Sequence, residues 1–164
     1  VVNAADYGIP QRRERVFIVG FRHDMEVRWS FPETTHSHDA LLYSQYVSGE
    51  YWDKHEVGLK ARPQMETKPP ARLERHRAFS QSSLGKPWLT VRDALKGLPD
   101  PRNKKLSSRH YNHVFQDGAR IYKGHTGSPL DLPAKTLKAG DHGVPGGENM
   151  LVTPAGETRY FTVL

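Results

Sequence analysis

Residues 6–21 read DYGIPQRRERVFIVGF and pass from a turn, through alternating charges, into a short apolar run. The run Val16–Phe21 is rich in β-branched and aromatic residues, which predicts a buried strand rather than a helix. Gln11, Arg13 and Arg15 alternate ahead of it, so an extended chain would place their side chains on one face. Such donors suit a flat, anionic or oxygen-rich ligand, although a solvated, salt-bridged start to a strand would contain the same charges.

The composition indicates a chain with short elements and many turns. Of the 164 residues, 36% are hydrophobic, 14 are Gly and 12 are Pro. The sequence contains no Cys, which excludes disulfides, thiolate metal sites and a cysteine nucleophile within these residues. Because no apolar run approaches membrane-spanning length and no charged-then-apolar leader opens the chain, we expect neither a membrane span nor a signal peptide.

Positive charge is concentrated in one part of the chain. Residues 54–113 hold 14 Lys and Arg against 5 Asp and Glu, whereas the remaining residues hold 10 against 13. A basic segment with mildly acidic flanks would attract a phosphate backbone. Charge alone does not decide the question, because basic segments are also common on ordinary protein surfaces.

Local signals predict a small set of short elements. These are a helix capped by Asp39 and running to Tyr46, a helix over 71–79, a helix over 91–95 capped by Thr90 and ending at Gly97, a strand within 133–140, and a β-hairpin whose strands flank 154–157. His36 and His38 could bind a metal, but no third ligand lies near them in sequence. A polar surface loop is the favoured interpretation, and no metal site is predicted.

Two motifs resemble those of a known family. Residues 3–20, NAADYGIPQRRERVFIVG, resemble the eighth conserved motif, Gln-x-Arg-x-Arg, of DNA cytosine-5 methyltransferases. Residues 159–163, RYFTV, resemble the opening of that family's ninth motif. In the family, the segment between these motifs is the target recognition domain. The resemblance therefore implies that the chain is the middle part of such an enzyme.

The resemblance also implies a fold class and domain boundaries. We expect a mixed α+β chain in which a small, irregular target recognition domain is attached to a strand remnant of a Rossmann-like methyltransferase α/β sheet. Residues 1–30 would be the end of the catalytic α/β domain, residues 31–157 the target recognition domain, and residues 158–164 the truncated start of the ninth motif.

In the intact parent enzyme, the resemblance implies methyl transfer from S-adenosylmethionine to C5 of a cytosine that is flipped out of a specific short DNA site. A cysteine thiolate would attack C6 while a glutamate engages N3. Arg15, supported by Gln11 and Arg13, would face the flipped base, although Arg13 could be mainly structural. Restriction-modification would be the biological setting, and the bacterial cytoplasm at the nucleoid is the expected location.

Residues 107–149 are expected to supply the DNA contacts, because target recognition domains present loops to the major groove and commonly carry a Thr-Leu or Thr-Ile pair. This segment contains two Gly-rich loops, residues 124–129 and 141–149. Tight turns in a small β domain would also explain their glycines, and neither loop matches a nucleotide-binding motif. The residues expected to reach DNA are Arg109, Lys123, His125, Thr126, Lys135, Thr136, Leu137, Lys138, Asp141 and His142.

Several family features are absent from the sequence. There is no Pro-Cys nucleophile motif, no Phe-x-Gly-x-Gly cofactor motif, no Glu-Asn-Val motif and no Gly-Asn of the last helix motif. We therefore expect S-adenosylmethionine to be the cofactor of the intact parent only, with none bound by this fragment. The fragment is expected to be inactive alone and to bind DNA at most.

The expected partners are double-stranded DNA and the missing catalytic half of the same enzyme. Two other classes stay open. One is a stand-alone, sequence-specific DNA-binding module. The other is an inactive remnant that self-associates through the exposed strand edge at residues 15–22.

Overall fold

The computed structural model describes residues 1–63, 84–124, 126–137 and 149–164. The chain divides into two compact units. Unit 1 comprises Val1–Ile9 and Arg13–Trp88, and unit 2 comprises Pro10–Arg12 and Leu89–Leu164. Helices and small sheets are both present, so the predicted mixed α+β class is confirmed. The functional boundaries at residues 30 and 157 rest on the family resemblance and stay a prediction.

Unit 1 begins with a two-stranded antiparallel ribbon. Strand β1 (Val2–Asn3) pairs with β2 (Glu14–Arg15), with Val2 opposite Arg15 and Asn3 opposite Glu14. A 3-10 helix, Ala4–Tyr7, follows β1 directly. The chain therefore leaves β1 through this short helix, and Glu14 and Arg15 then return antiparallel to β1.

The prediction of a buried strand over Val16–Phe21 is wrong. These residues lie outside any strand, and Ile18 is 95% exposed and Val16 70% exposed. A strand needs a partner for its amides and carbonyls and a covering layer for its apolar face. Glu14 and Arg15, directly before the run, pair with β1, but none of Val16–Phe21 lies in a strand. The pattern gave the right residue types for a buried strand, but burial requires neighbours that the described residues do not provide.

The remaining elements in the described part of unit 1 are short. They are β3 (His36–Ser37), α1 (His38–Tyr46), α2 (Glu50–Lys54), a 3-10 helix at Leu59–Ala61, and β4 (Lys86–Pro87), which pairs in parallel with β3. The core lies between α1 and α2, where Leu41, Tyr51 and Trp52 are buried. The Trp52 indole donates a 2.6 Å hydrogen bond to the carbonyl of Gln45, which satisfies its one polar atom.

Helix α1 forms where it was predicted, but Asp39 is not its cap. Ser37 is extended, and its hydroxyl accepts a 3.0 Å hydrogen bond from the Ala40 amide, so the helix begins at His38. Asp39 instead lies in the first turn, where a negative charge also favours the helix. The helix predicted over 71–79 lies outside the described residues.

The described residues of unit 2 include two short helices, α3 (Val91–Leu95) and α4 (Lys104–Ser107). The predicted Thr90 cap is confirmed: its hydroxyl accepts from the Asp93 amide, and the Asp93 carboxylate accepts from the Thr90 amide at 2.9 Å. Arg92 on α3 forms a two-pronged ion pair with Asp131, with distances of 2.6 and 3.1 Å.

A three-stranded sheet completes unit 2. Strand β5 (Ser128–Pro129) pairs in parallel with β6 (Met150–Val152), which pairs antiparallel with β7 (Thr158–Tyr160). The predicted hairpin is thereby confirmed, with both strands shorter than the sequence suggested. The strand predicted within 133–140 is not a strand over residues 133–137, where Ala134 forms a single parallel bridge; residues 138–140 lie outside the described residues.

Two negative findings apply to the part of the chain that the structure describes. None of its helices has the length and apolar character to cross a membrane. No group of three or more His, Cys, Asp or Glu side chains in that part is arranged to hold a metal ion. His38 stacks on Trp88 with ring centroids 4.9 Å apart, and His36 belongs to β3.

Candidate nucleic-acid interface

In unit 1, the side chain of Asn3 connects the start of the 3-10 helix to the arginine stretch. Its Oδ1 accepts hydrogen bonds from the amides of Ala5 and Arg13, both at 3.2 Å. The Ala4 amide also donates to the Arg13 carbonyl at 3.0 Å. Asn3 was not among the predicted site residues, although an Asn directly before a turn of helix is an N-cap signal that could have revealed its role.

Gly8 ends the 3-10 helix in a left-handed conformation, with φ of +82°. A Cβ at this position would come within 2.7 Å of Cε1 in the His36 ring. Burial, followed by the charge of Lys86, lowers the pKa of His36. Gly8 has no Cβ, so it adopts the positive φ without strain and leaves room for the His36 ring. Both features require Gly at this position of the Tyr-Gly-Ile-Pro turn.

Asp6 secures the same turn through a second set of contacts. Its carboxylate accepts a 2.9 Å hydrogen bond from the Trp88 indole, and its carbonyl accepts one from the Thr35 amide at 3.0 Å. The Tyr7 hydroxyl donates to the Pro32 carbonyl at 2.9 Å. The residues that precede the predicted base-pocket side chains are therefore held within unit 1 by hydrogen bonds at several points.

Arg13 and Arg15 are both exposed residues of unit 1. The Arg13 backbone is held by Asn3 and Ala4, whereas the Arg15 guanidinium donates to the carbonyl of Glu14 at 2.7 Å. An exposed guanidinium stays charged and keeps most of its five donors available to an anionic ligand.

Gln11 belongs to unit 2, where residues 10–12 pair with residues 134–136. The Ala134 amide donates to the Pro10 carbonyl at 2.9 Å, and the Arg12 amide donates to the Ala134 carbonyl at 2.8 Å. The Gln11 side chain donates to the Lys135 carbonyl at 3.4 Å. This parallel pairing brings the start of the Gln-x-Arg-x-Arg motif against residues 124 positions away in sequence.

Three further predicted residues meet at this pairing. The Thr136 hydroxyl donates to the Arg12 carbonyl at 2.7 Å, and the Lys135 ammonium donates to the Thr126 hydroxyl at 2.5 Å. We call Gln11, Thr126, Lys135 and Thr136 the Thr136 cluster. Buried Ser128 supports it, because its hydroxyl accepts from the Lys135 amide at 3.0 Å. Ser128 was not predicted from the sequence, where it has no distinguishing motif.

Other predicted DNA contacts lie apart from this cluster or outside the described residues. Arg109 lies just after α4, where its amide donates to the Leu106 carbonyl, and Lys123 is exposed in a turn. Leu137 directly follows Thr136 of the cluster and is 47% exposed. Four predicted residues lie outside the described residues: His125, Lys138, Asp141 and His142.

An exposed ion-pair network stabilises the hairpin that leads to the ninth motif. Arg102 bonds to Asp100 at 2.6 Å and to Glu157 at 2.5 Å, and Arg159 lies 3.4 Å from Asp100. The hydrogen bond from Arg102 is the main reason that the pKa of Asp100 falls to about 2, and the same contact raises the pKa of Arg102. The network therefore holds both the turn of the hairpin, at Glu157, and strand β7, at Arg159.

Comparison with known proteins supports a relationship over most of the chain. A model of the C-5 cytosine-specific DNA methylase family matches residues 1–126. The chain is similar to the Type II methyltransferase M.NgoPII of Neisseria gonorrhoeae, at 37% identity over 73 residues, or 43% of this chain and 20% of that protein. It is 33% identical over 100 residues to the Type II methyltransferase M.SacI of Streptomyces achromogenes, covering 61% of this chain and 16% of that protein.

A shorter match is closer in sequence. The Type II methyltransferase M.AquIA of a Picosynechococcus species is 61% identical over 36 residues, covering 22% of this chain and 14% of that protein. The chain thus spans only 14 to 20% of the length of these three relatives. No solved structure matches it. The family match extends through the arginine motif, the whole of unit 1 and the first part of unit 2, and the chain belongs to the C-5 cytosine-specific DNA methylase family.

Proposed function

We propose that the chain is the target recognition region of a DNA cytosine-5 methyltransferase and that it contributes one wall of the pocket for the flipped cytosine. The observation that carries the proposal is the pairing of residues 10–12 with residues 134–136. It joins the motif expected at the base pocket to the loop expected to read DNA. A shift in the loop would therefore be transmitted to Gln11 by direct hydrogen bonds.

The chemistry of the arginine motif agrees with this role. Cytosine presents an O2 acceptor and a ring nitrogen at the edge that is exposed when the base leaves the stack. Arg13 and Arg15 offer charged, planar donors for these acceptors. We assign Arg15 to contact with the base and Gln11 and Arg13 to its support. Arg13 contributes more to local structure than Arg15 does, because its backbone amide donates a hydrogen bond to the Asn3 side chain.

The cofactor is proposed for the intact parent only. S-adenosylmethionine supplies the methyl group when it is bound, and its sulfonium is a cation. A cavity of about 530 Å³ beside α4 has one carboxylate, Asp117, in its lining, together with Lys104. These residues do not fit a cationic ligand, so we assign no step through the cofactor to them. The sequence also has no Cys to attack C6, and we expect the 164-residue chain alone to methylate nothing.

Selection from a pool of short random DNA duplexes tests the proposal. We expect the 164-residue chain to enrich a short site and its affinity to fall as salt rises. Lys135→Ala should reduce that enrichment, because the ammonium held at Thr126 would be lost from the Thr136 cluster. Lys60→Ala is the matched control, since Lys60 is an exposed lysine in unit 1. Its loss should weaken all sequences equally if it has any effect.

Each other outcome contradicts part of the proposal. Binding that depends on salt but not on sequence would leave only a general basic surface. Equal enrichment by Lys135→Ala and the unmodified chain would exclude Lys135 from recognition. Sequence-specific binding by a full-length natural protein that ends at this region would favour the stand-alone module.

The exposed apolar run supports a second possibility, self-association. Ile18 is 95% exposed and Phe17 56% exposed, and residues of this kind are usually covered. In the parent enzyme, the missing catalytic half would cover them. Light scattering distinguishes the outcomes: a monomer at high concentration contradicts self-association through residues 15–22, whereas a dimer that Ile18→Lys dissociates supports it.

A further inference from the structure

Unit 2 contains a cavity of about 530 Å³ that the recognition proposal does not use. Its lining includes Lys104 and Ser108 from α4 and the turn after it, and His110, Tyr111, Asn112 and Phe115 from the following loop. The volume falls within the range of about 300 to 1,000 Å³ that is typical of small-molecule sites. The cavity therefore has room for a ligand the size of one nucleotide.

The cavity lining includes exposed aromatic and aliphatic side chains. Tyr111 is 86% exposed, Val114 is 63% exposed and Phe115 is 36% exposed. Exposed aromatic side chains that share a concave surface are typical of binding sites, and a tyrosine ring offers a flat face on which a planar base can stack.

The loop that carries Tyr111 is firmly anchored. His113 is only 4% exposed, and its two ring nitrogens bond to Thr162 Oγ1 at 2.9 Å and to the Pro99 carbonyl at 2.8 Å. Since a carbonyl can only accept, the Nε2 that faces Pro99 carries a proton. Asn112, between Tyr111 and His113, has φ of +59°, which turns the chain sharply before the anchor. Tyr111 therefore lies two residues from His113, whose ring is held by two hydrogen bonds.

The polar groups of the lining suit a nucleotide. Lys104 supplies a cation for a phosphate, while Ser108, His110 and Asn112 supply donors and acceptors for a base or sugar edge. Asp117 is the one carboxylate in the lining, and its Oδ1 already accepts from the Gly118 amide at 2.7 Å. A phosphate near Lys104 is therefore electrostatically acceptable.

We propose that this cavity binds one unstacked nucleotide of single-stranded DNA, with its base against Tyr111 and its phosphate near Lys104. The inference goes beyond the proposed function, which concerns duplex DNA at the Thr136 cluster. Single-stranded DNA is the ligand because both faces of a base in a duplex are covered by its neighbours, so a duplex offers no face for Tyr111. An unpaired strand exposes both the base face and the backbone charge.

Fluorescence anisotropy with a labelled thymidine strand of about eight nucleotides tests the inference on the 164-residue chain. Tyr111→Ala should weaken binding roughly 5- to 150-fold, as alanine substitution does at base-stacking residues, whereas Tyr111→Phe should keep most of the affinity. Tyr122→Ala is the matched control, because Tyr122 is 43% exposed in unit 2 and lies outside the cavity lining. Tyr111 is mostly exposed, so its loss should leave the fold intact.

The proposed contact between Lys104 and a phosphate is tested by the salt dependence of binding. Lys104→Ala should lower the slope of log affinity against log salt by about 0.7, which corresponds to one phosphate of a single strand. Lys96→Ala, an exposed lysine of unit 2 outside the lining, should leave the slope unchanged.

Two results would overturn the inference: equal affinity of Tyr111→Ala and the unmodified chain for the strand, or no saturable binding of the strand by the unmodified chain. The outcome is separable from that of the recognition proposal. Lys135→Ala should alter duplex enrichment without changing binding of the thymidine strand, and Tyr111→Ala should do the reverse.

Discussion

Replacing Asn3 with Ala should destabilise unit 1 and loosen the backbone at Arg13. The Asn3 Oδ1 is the acceptor for two amides, those of Ala5 and Arg13, and Ala cannot replace it. Loss of an N-cap side chain typically costs about 1 kcal/mol, within a range of about 0.5 to 2. The Arg13 amide is at the surface, where water can replace part of the lost bond, so its share is about 0.5 kcal/mol. We expect a total of about 1 to 2 kcal/mol.

Two measurements test this expectation. Urea unfolding followed by tryptophan fluorescence gives the change in the free energy of unfolding, since Trp88 bonds to Asp6 in the same 3-10 helix. Amide hydrogen exchange by NMR gives the local effect, and the Arg13 amide should exchange about twofold faster or more.

Asn3→Asp is the matched control. A carboxylate retains the acceptor and adds a negative charge at the start of the helix, where it is favourable. The reasoning is refuted if Asn3→Ala matches the unmodified chain in both measurements, or if Asn3→Asp is as destabilised as Asn3→Ala. Either result would mean that the two hydrogen bonds do not hold the arginine stretch.

Two further perturbations probe the turn and the hairpin. Gly8→Ala should lower the free energy of unfolding by about 1 to 3 kcal/mol, measured by urea unfolding, because it combines a φ of +82° with a Cβ 2.7 Å from His36; an unchanged midpoint would contradict the close approach. The lowered pKa of Asp100 means that its ion pair with Arg102 stabilises the folded chain fully above the ordinary value of 3.8, and the contribution is lost as pH falls through about 2. Because the Asp100 side chain is 41% exposed, solvent screening limits the contribution to about 1 kcal/mol, and Asp100→Asn should remove that part of the acid dependence of urea unfolding between about pH 4 and pH 2.

Local signals in the sequence were sufficient for several elements. The Thr90 cap needed only the Thr-x-x-Asp spacing, because both hydrogen bonds of the capping box are made within four residues. The hairpin of β6 and β7 needed only two β-prone runs around Pro-Ala-Gly-Glu. The cap of α1 was misassigned to Asp39 because Ser37 and Asp39 are both good capping residues, and the choice depends on which of them is extended.

The candidate site was predictable in part. The arginine motif and the family were recognisable because they occupy consecutive positions, and their residue types define their chemistry. The cavity around Tyr111 had no such signal, since its lining is defined by how α4 and the next loop turn around the buried His113. Ser128 was missed for the same reason, because its role comes from a hydrogen bond to Lys135.

The sequence by itself determined the family, the mixed α+β class, the absence of a cysteine nucleophile and the short capped elements, all of which depend on residue type and local spacing. Only the tertiary structure decided that Val16–Phe21 is exposed and that residues 10–12 pair with residues 134–136. Burial and long-range pairing depend on which other segments are present to cover an apolar face or accept a hydrogen bond. A local pattern indicates that a segment needs such a partner, but it does not identify which segment the partner is.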